Sequence, residues 1–239
     1  LETIRTVFQK YGFLPLETPA LEYKEILTGK YGKEGEKLLY EFKDQGGRDV
    51  ALRYDLTVPL ARVVSEYQND LPLPFKRYQI APVWRADRPQ KGRYREFTQC
   101  DIDVVGTPSI LADAEVIACI NAVLQELGIE DLIVRINNRQ VLDGLMKAAG
   151  IERKKAVPAI RILDKLDKLG EDGVRGELIS LGIQKKQTER LFELLQQGLE
   201  DAPAILNKLT DIEGAGDLAE LVEALLDLGV KNYEVDLTL

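Results

Sequence analysis

The sequence predicts an α+β fold: an antiparallel sheet flanked by helices, joined to an all-helical region. Three observations carry this expectation. Between Phe75 and Val105, two runs of alternating apolar and polar residues flank a basic loop. Leu1–Tyr11 and Leu111–Leu127 repeat apolar residues at helical spacing. From about Arg139 to Leu228 the pattern is almost wholly helical and rich in leucine. A period of two places alternate side chains on opposite faces of a strand, whereas a period near 3.6 gathers them on one helix face.

Taken in order, Leu1, Ile4, Val7, Phe8 and Tyr11 line a first helix that Gly12 ends. Pro15 and Pro19 then require an extended segment over Phe13–Pro19. Leu38–Phe42 and Val50–Tyr54 read as a hairpin joined through Lys43–Arg48, which holds two glycines. Thr57 is placed to cap the next helix, with Pro59 tolerated in its first turn. Phe75–Trp84 and Thr98–Val105 form the two central strands. A helix over Leu111–Leu127 ends at Gly128, and a strand follows over Leu132–Ile136. The helical region is expected to break at Gly150, Gly170, Gly182, Gly198 and Gly214–Gly216, and Tyr233–Leu239 closes with a strand. These signals divide the chain into a core at 1–138, a helical insertion at 139–229 and a returning strand at 230–239.

Composition narrows the function. The 239 residues are 45% hydrophobic, enough for a substantial core. No apolar run reaches the roughly 20 residues needed to span a bilayer, and no signal-peptide pattern opens the sequence. Cys100 and Cys119 have neither metal-ligand spacing nor the density of a disulfide scaffold, so both are expected as buried thiols in a reducing cytosol. The chain contains no histidine, which excludes imidazole as base, metal ligand or pH switch. Its net charge of −8 argues against nonspecific coating of nucleic acid. Yet Lys76–Glu96 holds seven Lys/Arg against two Asp/Glu, a local balance of +5.

The chemistry concentrates at Arg85–Gly106. On the first central strand Tyr78, Ile80 and Trp84 share one face, while Arg77, Gln79 and Arg85 share the other. On the second, Gln99, Asp101 and Asp103 share a face. Pairing Arg85 opposite an odd-numbered residue near Phe97 or Gln99 brings these polar groups to one side. A guanidinium suits phosphate or carboxylate because its planar fork donates two parallel hydrogen bonds. Lys91, Arg93 and Arg95 add positive potential from the loop. Asp55 is suited to an ammonium group with Thr57 beside it; the plainer alternative is helix capping by Thr57 and a solvated charge at Asp55.

At these residues the chain resembles class II aminoacyl-tRNA synthetases, and among them the histidyl enzymes. Tyr11–Pro19 looks like motif 1, the dimer-forming helix and strand of that class. Leu52–Arg62 resembles the substrate-amine loop of the histidyl enzymes, and Lys76–Asp103 resembles motif 2. The resemblance implies a class II synthetase-like antiparallel sheet and a cytoplasmic homodimer formed through the motif 1 region. The implied substrates are histidine, ATP and tRNA(His), with Mg²⁺. By position, Arg85 would contact the ATP α-phosphate and the histidine carboxylate, as the catalytic residue. Asp55 and Thr57 would receive the α-ammonium, and Gln99 and Asp103 would line the histidine pocket, Asp103 facing an imidazole N–H. Asp87, standing where the family usually has glutamate, and Arg93 would lie beside ATP. No protein ligand to a metal is implied.

Motif 3, a second histidine-binding segment and an anticodon-binding domain would follow a strand like Tyr233–Leu239. Leu1, inside a helical pattern, reads as an internal boundary. The resemblance therefore implies an incomplete catalytic core, inactive or nearly so by itself. A different class of reading is a synthetase-like regulatory subunit of ATP phosphoribosyltransferase, a histidine sensor without charging activity. The intact Lys91–Phe97 loop favours the enzyme. An unrelated RNA-binding module built on the basic patch leaves Asp55, Gln99 and Asp103 without a role. The isolated chain should accordingly lack a normal rate of histidine-dependent ATP–pyrophosphate exchange, which a radiolabel exchange assay checks.

Overall fold

The computed structural model describes residues 1–29, 37–88, 90–200, 212 and 214–238, with only the backbone described at 197–200. It forms two compact units, Leu1–Pro108 and Ser109–Leu239. The division falls before the helix over Ile110–Glu126, and the change in sequence pattern near residue 138 lies within the second unit. The helical expectation for 201–211 lies outside the described residues, as does Leu239; the closing strand expected over Tyr233–Leu239 ends at Val235 and a turn follows at Leu237–Thr238.

Unit 1 begins with α1 (Glu2–Lys10), whose Val7 and Phe8 are buried. Gly12 follows at φ 78°, which only glycine takes without strain. β1 (Leu14–Pro15) then runs parallel to β5 (Phe75–Trp84), pairing Leu14 with Arg77. β5 pairs antiparallel with β6 (Glu96–Val105) over ten residue pairs, from Phe75↔Val105 to Trp84↔Glu96. The sheet order is β1-β5-β6. Tyr78 on the even face of β5 is buried against Phe8, with ring centroids 5.7 Å apart. Burying such a face contributes on the order of 2 kcal/mol per large apolar side chain.

A second sheet has the order β2-β4-β3, built from β2 (Leu21–Tyr23), β3 (Glu41–Lys43) and β4 (Asp49–Leu52). The β3–β4 turn is fixed by Asp44, which accepts from Arg48 N at 2.9 Å and Arg48 Nε at 2.7 Å. β2 went unforeseen because three residues carry too little periodicity, as does the one-turn α2 (Lys24–Leu27). Buried Glu22 on β2 accepts from Arg62 Nη1 at 2.5 Å on α3 (Thr57–Tyr67). Arg53, just after β4, is buried and donates to Thr18 O and Pro82 O at 2.7 and 2.9 Å. It thereby ties the end of the second sheet to β5 of the first.

Unit 2 contains α4 (Ile110–Glu126), α5 (Arg139–Ala148), α6 (Arg153–Leu163), α7 (Leu166–Ser180), α8 (Lys185–Glu200) and α9 (Ala215–Asp227). A two-stranded parallel sheet joins β7 (Val134–Ile136) to β8 (Tyr233–Val235). Ser109 and Asn138 cap α4 and α5 by accepting from Leu111 N and Gln140 N. Gly150 and Gly182 end helices in the left-handed region, and Gly170 interrupts α7 at φ 67°. Gly198, expected as a break, lies within α8, since a helix tolerates one glycine at about 1 kcal/mol. Among the described residues no helix is long and apolar enough to cross a membrane. Cys119 is buried, whereas Cys100 is only half-buried on β6.

Gly214 joins sequence to packing most tightly here. It sits at φ 83° at the head of α9, where an added Cβ would lie 2.6 Å from Gln140 Cβ. Gly214→Ala should therefore destabilise the protein by about 1–3 kcal/mol through strain and overlap together. Chemical denaturation of the two proteins measures the difference.

Candidate functional site

The β5–β6 ladder fixes the site. Every pair joins residues of equal parity: Arg77 faces Asp103, Gln79 faces Asp101, and Ala81 faces Gln99. Beyond the ladder, Arg85 N donates to Arg95 O at 2.8 Å, so Arg85 lies opposite Arg95 rather than Phe97 or Gln99. The parity is as expected and the offset is one pair further along. Arg77, Gln79, Arg85, Gln99, Asp101 and Asp103 consequently belong to one face, since alternate side chains share a side.

Arg85 is half-buried between two aromatic rings, its guanidinium carbon 4.4 Å from the Tyr54 centroid and 5.0 Å from that of Phe97. Such cation–π contacts hold the fork's plane and contribute roughly 0.5–1 kcal/mol each. Nε donates to Tyr54 O at 3.2 Å. Among the described residues no carboxylate lies within ion-pair distance of Arg85, so its terminal nitrogens are available to an anion. Arg95 Nε donates to Asp87 O at 3.2 Å, and Arg93 Nη1 stands 4.0 Å from Asp87 Oδ1. A tight turn carries Lys91 and Gly92 between Gln90 and Arg93, with Gly92 at φ 79°. Lys91, Arg93 and Arg95 are all exposed on this loop.

The opposite charge gathers further along the strands. Asp103 Oδ2 lies 2.6 Å from Nη2 of Arg77, which is wholly buried. Gln99 Nε2 reaches Asp101 Oδ1 at 3.4 Å, leaving the buried Gln99 Oε1 without a hydrogen bond. Burial pushes the Asp103 and Asp101 carboxyls above the usual range, outweighing the pull of Arg77 on both. Burial likewise lowers the Arg77 pKa despite Asp103, Asp101 and Asp55 nearby. The face therefore holds more buried negative charge than one guanidinium balances, which suits a cationic or N–H-bearing ligand.

Asp55 accepts from Val58 N at 3.0 Å and so satisfies the head of α3. Capping falls to Asp55 rather than to Thr57, which is the first residue of the helix and is exposed. The structure thus gathers Asp55, Arg85, Gln99 and Asp103 around the β5–β6 face, with Thr57 at its edge and Asp87 and Arg93 on the loop. Arg77 and Asp101 had been placed on this face without roles, although its period-two pattern was the signal that could have supplied them. In unit 2, three lysines have partners of their own. Lys154 pairs with Glu152, Lys185 with Glu189, and Lys155 donates to Gly182 O. Lys186 is exposed.

A carboxyl raised above its unfolded pKa of about 3.9 binds more protons in the folded protein. It subtracts stability above the folded value, and that loss disappears as pH falls below the unfolded one. Asp101→Asn should raise the melting temperature near about pH 7, with the gain shrinking toward about pH 3–4. Thermal unfolding across that range checks this, and a gain independent of pH contradicts it.

The family model for Histidyl-tRNA synthetase matches residues 1–239. A histidine–tRNA ligase from Gloeobacter violaceus is 45% identical over 271 aligned residues, covering 100% of this chain and 58% of that protein. Another from Rhodopirellula baltica is 46% identical over 220 residues, covering 92% of this chain and 49% of that protein. The crystal structure of histidyl-tRNA synthetase from a Nostoc species superimposes with a TM-score of 0.87 at 35% identity, covering 100% of this chain and 56% of that one. A Bacillus halodurans structure, described as an ATP phosphoribosyltransferase regulatory subunit/histidyl-tRNA synthetase, gives 0.82 at 27% identity, covering 100% and 62%. The chain spans about half the length of the curated relatives it matches. With the match running over every residue, the chain belongs to the histidyl-tRNA synthetase family.

Proposed function

We propose that the protein activates histidine with ATP and transfers it to tRNA(His). The observation that carries this reading is one sheet face with an anion-receiving end at Arg85 and an acidic end at Asp103 and Asp101. An amino acid next to ATP presents the matching pattern, with carboxylate and phosphates on one side and ammonium and imidazole on the other. The histidine carboxylate attacks the α-phosphorus, and pyrophosphate leaves to give histidyl-adenylate. Arg85, held in plane by Tyr54 and Phe97, neutralises charge developing on the α-phosphate oxygens. Asp55 and Thr57 receive the ammonium, and Gln99 and Asp103 the imidazole. Arg93 and Asp87 stand on the ATP side. The terminal ribose hydroxyl of the tRNA then attacks the activated carbonyl, and AMP leaves. Neither step needs a protein nucleophile, so a chain without histidine suffices.

Among the described residues no group of three or more acidic or thiol side chains is placed to hold a metal. Mg²⁺ would enter with the nucleotide phosphates, and no step above runs through it. The same reading makes the protein a cytoplasmic homodimer, for which Leu14, 62% exposed on edge strand β1, is a supporting feature of the motif 1 region.

A second reading, a regulatory subunit of ATP phosphoribosyltransferase, is favoured by the likeness to the Bacillus halodurans structure. The higher identity to ligases and the basic Lys91–Phe97 loop support the enzyme instead. ATP–pyrophosphate exchange and tRNA charging by the full-length protein separate the two. Arg85→Ala should lower exchange about 100–1000-fold, the loss expected for one charged transition-state donor. Asp103→Ala should raise the KM for histidine more than that for ATP. Histidine binding without exchange would select the regulatory reading.

A further inference from the structure

Arg77 is fully buried, yet its hydrogen bonding is incomplete. Buried Arg53 nearby places donors on two backbone carbonyls. Arg77 instead uses Nη2 alone, donating to Leu56 O at 3.1 Å and lying 2.6 Å from Asp103 Oδ2. Its Nε and Nη1 have no hydrogen-bond partner among the described residues. A buried guanidinium held this sparingly is a poor device for stability, since a well-packed apolar side chain usually does as well or better. Its geometry gives it another use. Leu56 lies between Asp55 and Thr57 at the N-cap of α3, and its carbonyl also receives Leu60 N at 3.3 Å. One nitrogen therefore touches the strand that carries Asp103 and the turn that carries Asp55 and Thr57.

We propose that Arg77 is a positioning residue for histidine, holding the Asp103 carboxylate and the Asp55–Thr57 turn at a fixed spacing from within the sheet. The inference rests on the ligase reading above. The histidine ammonium and imidazole are joined by a short carbon chain, so their receptors must keep one separation. A nitrogen fixed in the rigid guanidinium plane can hold two acceptors at a set separation. A lysine ammonium on a flexible stem cannot, although it keeps the charge.

The test is ATP–pyrophosphate exchange by the full-length protein and its Arg77→Lys, Asp103→Asn and doubly substituted variants, titrated with histidine and with ATP. Arg77→Lys should raise the histidine KM about tenfold or more while the ATP KM stays within about twofold. In the double variant the histidine KM should rise less than the product of the single effects, because the contact is already broken. A merely structural Arg77 would reduce the amount of active protein, lowering kcat with both KM values intact. That result, or equal rises in both KM values, overturns the proposal. Circular dichroism reports folding; should Arg77→Lys not fold, Arg77→Met, which fills the site without a charge to leave unpaired, should show the same split. Exchange that is indifferent to Arg77 overturns this inference alone. Absence of exchange in the unsubstituted protein overturns the ligase reading and this inference together.

Discussion

The antiparallel pairing of β5 with β6 joins ten residue pairs of equal parity, from Phe75↔Val105 to Trp84↔Glu96. A slip of one residue would turn Asp101 and Asp103 away from Arg77 and toward the face on which Tyr78 packs against Phe8. That slip would bury two carboxylates in an apolar layer and strip the site of its acidic end. The register is thus set on both faces, by Tyr78 on the even-numbered one and by buried Arg77 and Gln79, opposite Asp103 and Asp101, on the odd-numbered one. β1 adds to it in parallel through Leu14↔Arg77, and Arg53 ties β4 to Pro82 on β5. The placement of Asp55 at the head of α3 follows from those ties.

The electrostatics of that face run against folding stability. Asp101 and Asp103 sit where burial raises the free energy of their charged forms. Arg77 is one cation against two such groups, with Asp55 also in reach. Arg85 offsets Asp101 only in part and is held between Tyr54 and Phe97 with its terminal nitrogens uncommitted. Imbalance of this kind is expected where a ligand completes the set of charges.

Much of this was legible before any coordinates. β5 matches the alternation at Phe75–Trp84, and the glycine stops of unit 2 at Gly150 and Gly182 fall in the left-handed region as expected of helix ends. Parity alone placed Arg77 with Gln79 and Asp101 with Asp103. Other features depend on tertiary context that one-dimensional periodicity does not carry. The three-residue β2 exists because β4 offers it a partner. Gly198 stays helical because a single glycine is too weak a breaker within a sixteen-residue helix. Thr57 and Asp55 are both good caps by composition, and only the turn geometry gives the role to Asp55. The contact of Arg77 with Leu56 O links residues distant in sequence, and no local pattern announces it.

The odd-numbered face of β5–β6 is proposed to bind histidine between an acidic and a basic end. A crystal structure of the full-length protein with bound histidine provides the test. The imidazole should lie against Asp103 and Gln99, the α-ammonium at Asp55 and Thr57, and the carboxylate toward Arg85. Histidine seated elsewhere, or in this pocket with its carboxylate turned away from Arg85, would contradict it.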